Sequence, residues 1–224
     1  MNFEICENNI GYSFKNKNLL KEALTHTSYA YENKVKSNER LEYLGDSILE
    51  FVISEYLFLK YNNLSEGEMT KVRASYVCEN ALYRYSMDMG FNNYIKVGHG
   101  EENSGGKYKK AIVADIFEAI MGAIYLDLGY ETVRRVILDI VVPYIQNPNI
   151  VFFEDYKSAL QQAVQTTRQS VIYEVVKEEG PAHDKTFTIE AKVDGIIYGK
   201  GVGSSKKDAE QIAAKDALEK LAKS

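Results

Sequence analysis

Carboxylate side chains at helical spacing are the first chemical feature of the chain. Within 38–50, Glu39, Glu42 and Asp46 fall within about 60° of one another on a helix, with no Lys or Arg on that side. The opposite side of the same helix is apolar, at Leu41, Leu44 and Ile48. Because like charges at this spacing repel, the column is either a solvated acidic face or a site for a divalent cation.

A second carboxylate pair lies in a segment that is otherwise apolar. Residues 111–126 are apolar or small except for Asp115 and Glu118, which project to one side of a helix at i, i+3 spacing. Burying a carboxylate without a partner is costly, and no Lys or Arg follows until Arg134. The pair therefore meets either a distant Arg or a metal ion. We expect a metal ion, with Gly122 among the small residues that leave room beside it.

Glu42, Asp46, Asp115 and Glu118 together offer only oxygen ligands. A di-iron site in a helical bundle uses Glu-x-x-His pairs, and no His stands within four residues of these acids. Oxygen donors without His or Cys favour Mg²⁺, for which Mn²⁺ can substitute, over zinc or iron.

Four further residues and one predicted loop lie near these stretches in the sequence. Ser65 and Glu68 have capping-box spacing, which predicts a structural role for Glu68 and leaves Glu66 as an auxiliary acidic residue. His26, at the end of a predicted helix, is interpreted as a hydrogen-bonded structural residue rather than a ligand. The Gly-rich segment 98–110 is predicted to be a flexible loop that ends in basic residues, a combination that can approach phosphates but that is weak evidence alone.

The elements that carry these carboxylates are predicted to be helices. The predicted fold is an all-α domain over residues 1–145. Pro143 and Pro148 mark a change in the pattern, and we interpret 146–154 as a linker. Amphipathic periodicity predicts the principal helices over 17–30, 38–60 and 130–142.

The hydrophobic period changes in the C-terminal part of the chain. Residues 155–224 are predicted to form a small α+β domain in the order helix, three antiparallel strands, helix. Alternation with a period of two is clearest in the second strand, and Asp194-Gly195 is a hairpin signal. The predicted elements span 155–166, 172–178, 185–193, 196–202 and 205–222.

Polar residues at element ends and on one helix face of this domain suit duplex RNA. Free amides, the helix dipole and two ammonium groups converge where the last helix begins, after Gly201 and Gly203. A Gln-rich face on the first helix both donates and accepts hydrogen bonds. Each feature alone also has a structural interpretation, but together they suit reading 2′-hydroxyls and phosphates. The predicted RNA-binding residues are Ser158, Gln161, Gln162, Gln165, His183, Ser205, Lys206 and Lys207.

The composition is that of an ordinary globular protein, with 45% hydrophobic and 26% charged residues. The net charge of −5 argues weakly against a nucleic-acid partner, but bound metal would neutralise a concentrated acidic excess. Cys6 and Cys78 form no ligand-spaced motif. The sequence has neither a membrane-spanning apolar run nor a signal peptide, so we expect a cytoplasmic protein. We also expect no small-molecule organic cofactor.

Both parts of the chain resemble one known family. Residues 38–49 look like the signature motif of bacterial ribonuclease III, and 155–224 look like a double-stranded-RNA-binding domain. One departure is Ile172, where such binding domains often have a proline before the first strand. The resemblance covers essentially the whole chain and includes Ala23-Leu24-Thr25-His26, Glu66-Gly67, Asp115-Ile-Phe-Glu118-Ala and the Gly-x-Gly-x-Ser-Lys-Lys-x-Ala-Glu pattern at 201–210.

The resemblance implies an endoribonuclease that hydrolyses double-stranded RNA with Mg²⁺ and leaves 5′-phosphate and 3′-hydroxyl ends. It implies ribosomal RNA precursors and structured messenger RNAs as substrates, and a homodimer whose two active sites share one RNA-binding valley. Asp46 and Glu118 are the acids whose loss is expected to be worst. The implied metal ligands are Glu42, Asp46, Asp115 and Glu118, and Glu39 and Glu66 are implied to have less essential roles.

A function of another class is an alternative. The chain could be a non-catalytic duplex-RNA-binding protein that keeps the nuclease fold as a dimerisation scaffold. The presence of all four acids argues against this alternative, because a scaffold has no need of them.

Overall fold

The computed structural model describes residues 3–147, 152, 156–166, 169–181 and 185–221. The chain divides into two compact units, Met1–Phe153 and Glu154–Ser224. The interpreted linker 146–154 falls largely outside the described residues. The helices of the first unit are α1 (Phe3–Ile10), α2 (Lys17–Ala23), α3 (Thr27–Asn33), α4 (Glu39–Lys60), α5 (Glu66–Tyr76), α6 (Glu79–Asp88), α7 (His99–Asn103), α8 (Lys110–Leu128) and α9 (Tyr130–Ile145).

Helix α8 runs through the core of the first unit. Its apolar residues from Ile112 to Ile124 are buried, and α2, α4, α6 and α9 pack around it. A helix that is apolar on nearly all sides is stable only when other helices cover it, so the sequence pattern explains its central position. Among the described residues, no helix combines the length and the apolar character needed to cross a membrane.

Two glycines bring α4 and α8 into backbone contact. A Cβ atom on Gly45 would lie 1.8 Å from the carbonyl oxygen of Glu118, and one on Gly122 would lie 2.3 Å from that of Leu41. The expectation that Gly122 leaves room for a metal ion was therefore wrong. Its missing side chain makes room for the backbone of α4.

Three local predictions for this unit were wrong. The predicted helix 17–30 is two helices, because the segment between α2 and α3 turns away to form a parallel bridge between Thr25 and Lys96. Pro143 lies inside α9, which continues to Ile145. The segment 98–110 is not an open loop: it holds α7, a 3-10 helix (Gly106–Tyr108) and the start of α8.

The second unit has the predicted order of elements. It contains α10 (Tyr156–Thr166), β1 (Val171–Glu179), β2 (Thr186–Val193), β3 (Ile196–Gly203) and α11 (Lys206–Leu221). The strands form one antiparallel sheet in the order β1-β2-β3. Asp194 and Gly195 have φ of 48° and 83°, as the predicted hairpin turn requires. The predicted fold class, an all-α unit followed by a small α+β unit, is confirmed.

We predict that Gly45→Ala lowers the free energy of unfolding by about 2–3 kcal/mol, because the new methyl group forces α4 and α8 apart. This loss exceeds the gain of about 1 kcal/mol from better helix propensity. Gly67→Ala is the matched control, since Gly67 lies in α5 with no atom within 4 Å of the added Cβ. Urea unfolding monitored by circular dichroism measures both. Equal stability of the two variants would refute the packing role of Gly45.

Candidate active site

Three carboxylates converge where α4 crosses α8. Ligand oxygens of Glu42, Asp115 and Glu118 all lie within 4.8 Å of one another, and all three side chains are half-buried. Glu42 lies one turn before Gly45 on α4, and Glu118 lies one turn before Gly122 on α8. The close contact at the glycines therefore sets the separation of the carboxylates.

The electrostatics of this cluster favour neutral carboxyl groups when no cation is bound. Burial raises the pKa of Glu118 to about 8, and the charges of Asp46, Asp115 and Glu42 add to the effect. Burial also raises the pKa of Glu42 to about 7, with further contributions from Asp115, Glu39 and Asp46. The pKa of Asp115 is raised by burial and by the charge of Glu79.

Asp46 and Glu39 lie beside this triad rather than inside it. Both are exposed on α4. Asp46 follows Glu42 by one helical turn on α4, and its charge makes the largest charge contribution to the raised pKa of Glu118. The side chain of Glu39 accepts a hydrogen bond of 2.9 Å from the Ser37 hydroxyl. The predicted four-residue set is thus arranged as a compact triad with Asp46 on its solvent side.

The donor set fits a hard divalent cation. Among the described residues, no ion pair joins a Lys or Arg to Glu42, Asp115 or Glu118, so the distant-Arg interpretation has no support. Half-buried carboxylates that repel one another are stabilised by a cation that neutralises them. The three potential ligand atoms are all carboxylate oxygens, as Mg²⁺ and Mn²⁺ prefer.

The structure does not bring Glu66 to the triad within one chain. Glu66 is the first residue of α5 and lines a depression with Ser54 and Phe58 of α4. The capping box predicted at the same helix start is present: Ser65 N–H donates to Glu68 Oε2 over 2.8 Å, and Glu68 N–H donates to Ser65 Oγ over 3.4 Å. The structural role of Glu68 is confirmed.

Sequence reasoning missed two acids and one glycine of this region. Glu50 raises the pKa of Glu118, and Glu79, at the start of α6, raises that of Asp115. Glu50 follows Asp46 at i+4 spacing, so its position was readable from the sequence. The position of Glu79 could not be read from the sequence, because only the packing of α6 on α8 brings Glu79 near Asp115. Gly45 carried a signal, since an isolated glycine inside a helix usually has a packing reason.

Two of the three lysines in 98–110 form ion pairs with neighbouring acids. Lys107 pairs with Glu102 at 2.6 Å, and Lys109 pairs with Glu101 at 2.6 Å. The interpretation of this segment as a free phosphate-binding loop was therefore wrong for these two lysines. His26 caps α3, and its Nδ1 lies 2.8 Å from the Ser28 hydroxyl oxygen, in agreement with a structural role.

The start of α11 presents two lysines to solvent. Lys206 and Lys207 are exposed, and the Lys206 ammonium lies 5.7 Å from the centre of the Phe187 ring. Ser205 caps the helix by accepting a hydrogen bond of 3.1 Å from the Asp208 N–H. A Cβ on Gly201 would lie 2.1 Å from the Ala209 carbonyl oxygen, so this glycine allows β3 to pack against α11. Its role is packing rather than direct phosphate contact.

The remaining predicted RNA-binding residues that the structure describes lie on α10. Ser158 and Gln161 are half-buried on α10, and Gln165 is exposed one turn further along the helix. The side chain of Gln162 and the whole of His183 lie outside the described residues.

A helical unit with an acidic metal-type site, followed by a helix–three-strand–helix unit, defines a class: a metal-dependent nuclease joined to a double-stranded-RNA-binding domain. Two family models match the chain in this order. The family described as Ribonuclease-III-like matches residues 16–145, and the Double-stranded RNA binding motif matches residues 156–221. The chain belongs to the ribonuclease III family.

Curated relatives and a solved structure agree with this assignment. Ribonuclease 3 of Listeria monocytogenes is 44% identical over 98% of this chain and 97% of its own length. Ribonuclease 3 of Streptococcus gordonii is 47% identical over 94% and 92%. The nuclease domain of ribonuclease III from Campylobacter jejuni, described with a flexible region involved in dimer formation, superposes with a TM-score of 0.61. It is 41% identical and covers 63% of this chain and 97% of that domain.

Membership of this family settles the predicted activity. The protein is an endoribonuclease specific for double-stranded RNA, its reaction is metal-dependent, and its C-terminal domain binds duplex RNA.

We predict that Glu118→Gln stabilises the metal-free protein at pH 8 by about 1–2 kcal/mol, after allowance for solvent screening. The folded pKa of Glu118 is above its unfolded value, so its cost is absent below about pH 4.5, grows as the pH rises, and is complete above about pH 8. Thermal unfolding in EDTA from pH 5 to pH 8 measures the effect.

The wild-type protein should therefore lose more stability across that pH range than Glu118→Gln does. Added Mg²⁺ should raise the melting temperature of the wild type and leave that of the variant nearly unchanged. If Glu118→Gln melts at a lower temperature than the wild type in EDTA at pH 8, the proposed repulsion among the carboxylates is contradicted.

Proposed function

We propose that the chain cleaves duplex RNA with Mg²⁺ held at the α4–α8 crossing. The observation that carries this proposal is the convergence of Glu42, Asp115 and Glu118 oxygens within 4.8 Å, with no Lys or Arg ion-paired to them among the described residues. Mn²⁺ would substitute for Mg²⁺, because it accepts the same oxygen donors.

The acids divide into three roles in this proposal. Glu42, Asp115 and Glu118 hold the ion, and Asp46, exposed beside Glu118, completes the metal site on its solvent side. Asp46 and Glu118 are the pair on which cleavage depends most, as the resemblance to the ribonuclease III family implies. Glu39 and Glu66 assist from outside the triad.

The chemistry of phosphodiester hydrolysis explains why carboxylates are required. The reaction needs a deprotonated water, neutralisation of the phosphate charge and stabilisation of the leaving oxygen. When bound, Mg²⁺ supplies these effects. The chain contributes fixed carboxylates that orient the ion, and buried helix packing that prevents the carboxylates from moving apart. The expected products carry 5′-phosphate and 3′-hydroxyl ends.

Duplex recognition is assigned to two parts of the second unit, the start of α11 and the polar face of α10. Lys206 and Lys207 supply cations for phosphates at the exposed start of α11, and Ser205 holds that helix start in place. The polar face of α10 suits contacts to 2′-hydroxyls. The residues proposed for that face and the following loop are Ser158, Gln161, Gln162, Gln165 and His183.

A homodimer is proposed for the nuclease unit. Along α4, the aromatic side chains of Tyr43, Phe51 and Phe58 are 79%, 59% and 68% exposed. A row of exposed aromatic rings on one helix is typical of an interface. The related Campylobacter jejuni domain has a region involved in dimer formation. Two copies would give one active site for each RNA strand.

Ribosomal RNA precursors and structured messenger RNAs are the proposed substrates, because they contain the long duplexes that such a dimer requires. The cytoplasm, where these transcripts are made, is the proposed compartment. The non-catalytic scaffold is the rival function, and the cleavage assay below separates the two.

We predict that a long RNA duplex is cut by the protein with Mg²⁺ and stays intact when EDTA removes the metal. Asp46→Asn should reduce the cleavage rate by about 10³-fold or more, since it removes a charge at the metal site. Its affinity for the duplex should remain that of the wild type. Gel analysis of product formation and fluorescence anisotropy in EDTA measure the two properties separately.

Glu131→Gln is the matched control for this variant, because Glu131 is an exposed acid on α9, away from the triad. It should cleave at the wild-type rate. Intact RNA with Mg²⁺ and wild-type protein would favour the scaffold function. Equal loss of binding and cleavage in Asp46→Asn would refute the separation of roles.

We predict that Lys206→Ala with Lys207→Ala weakens duplex binding and lowers the slope of log K against log salt concentration by about 2. Lys200→Ala with Lys220→Ala removes the same charge from lysines that pair with Glu190 and Asp216. Anisotropy titrations between 50 and 200 mM KCl compare the two double variants. If their slopes are the same, Lys206 and Lys207 do not contact phosphates.

A further inference from the structure

The cations of the nuclease unit fall into two groups. The first group is neutralised by carboxylates, in pairs such as Arg84–Asp88, Lys107–Glu102 and Arg135–Asp139. The second group has no carboxylate partner among the described residues, and three of its members surround one surface depression: Lys21, Lys36 and Lys96. We call this depression the lysine groove.

Polar donors complete the lining of the lysine groove. Asn18 and Asn33 lie on its wall beside the three lysines, and Glu22 is the only carboxylate among its described lining residues. Three positive charges against one negative charge leave a net attraction for anions. Amide groups next to ammonium groups suit a ligand that carries both phosphates and hydroxyls.

Different elements hold the three lysines in position. Lys21 lies on α2, and Lys36 lies in the segment between α3 and α4. The backbone N–H of Lys96 donates to the Leu24 carbonyl oxygen over 2.8 Å, and its ammonium lies 5.5 Å from the centre of the Tyr29 ring. Because its backbone is fixed and its side chain lies over a ring, Lys96 loses little freedom on binding an anion.

The lysine groove adjoins the start of the active-site helix. Thr25 lines the groove, and its carbonyl oxygen accepts a hydrogen bond of 2.8 Å from the Asn38 N–H, immediately before α4 begins at Glu39. The Thr25–Asn38 hydrogen bond therefore ties the wall of the lysine groove to the start of the helix that carries the acidic column.

We propose that the lysine groove binds phosphates of the sugar–phosphate backbone of the RNA substrate, outside the cleavage site. This inference rests on the duplex-RNA activity proposed above. The carboxylates of Glu39, Glu42 and Asp46 repel phosphate groups that approach the metal site. Unpaired cations next to that column offset the repulsion and hold the neighbouring part of the duplex.

A duplex backbone explains the groove better than an acidic protein does. The groove lies on the same unit that must hold RNA during cleavage, and its lining combines separate cations with amide donors. Lys107 and Lys109, which a basic sequence pattern singled out for phosphate contact, are already neutralised by Glu102 and Glu101. Lys21, Lys36 and Lys96 have no such carboxylate partner among the described residues, and they line one depression.

The test removes the three charges together in the full chain, as Lys21→Gln, Lys36→Gln and Lys96→Gln. Binding of a 30-base-pair RNA duplex (a length of about three helical turns) is measured by anisotropy in EDTA between 50 and 200 mM KCl. The slope of log K against log salt should fall by about 2 to 3. With Mg²⁺, KM should rise roughly tenfold while kcat stays that of the wild type, because these lysines position RNA without contacting the reacting atoms.

Arg84→Gln, Lys107→Gln and Arg135→Gln together form the matched control, since they make the same change in net charge at cations that are already paired. Equal slopes and equal KM values for the two triple variants would overturn the proposal. An RNA affinity of the lysine variant equal to that of the wild type would overturn it as well. A fall in kcat alone would also overturn it. Failure of the wild type to bind or cut the duplex would instead refute the proposed function, so the two failures are distinguishable.

Discussion

The close contact between α4 and α8 at Gly45 and Gly122 is the constraint on which the rest of the nuclease unit depends. Side chains normally keep helix axes about 8–10 Å apart. Here the missing side chains let the carbonyl oxygens of Glu118 and Leu41 occupy the space of a Cβ. Carboxylates one turn away on each helix are consequently brought within a metal ion's reach. The apolar character of α8 then fixes the helix in the core, so the geometry cannot relax.

This arrangement sets stability against function. A half-buried carboxylate cluster destabilises the metal-free protein, and the raised pKa values of Glu42 and Glu118 express that cost. The surrounding apolar core offsets it without neutralising the cluster. A bound cation removes the repulsion, so metal binding and folding stability are coupled at this site. Before a cation binds, the same negative charge repels RNA phosphates, and the cations of the proposed lysine groove would offset that repulsion.

Local sequence patterns predicted the acids of the site and most helices and strands, whereas features that depend on contacts between distant residues were missed. The acids on α4 and α8 were found because helical periodicity and an apolar context are local properties. The three strands and the Asp194-Gly195 turn were found for the same reason. The break between α2 and α3 was missed because it depends on the bridge between Thr25 and Lys96, which are distant in the chain.

The sequence also could not predict which lysines form ion pairs with carboxylates in the folded unit. A basic run at 107–110 indicated phosphate contact, but Glu101 and Glu102 neutralise two of its lysines once α7 folds back. The lysine groove could not be predicted from the sequence, because Lys21, Lys36 and Lys96 form no basic run and come together only in the folded unit. The role of Gly122 was misread because a gap on a helix surface can accept either an ion or another backbone.

The most direct test of the central claim is anomalous diffraction from crystals soaked in Mn²⁺, which locates the ion without reference to activity. The account predicts a manganese peak at roughly 2 Å from carboxylate oxygens of Glu42, Asp115 and Glu118. A manganese ion bound elsewhere, with these three carboxylates turned toward protein cations, would contradict it.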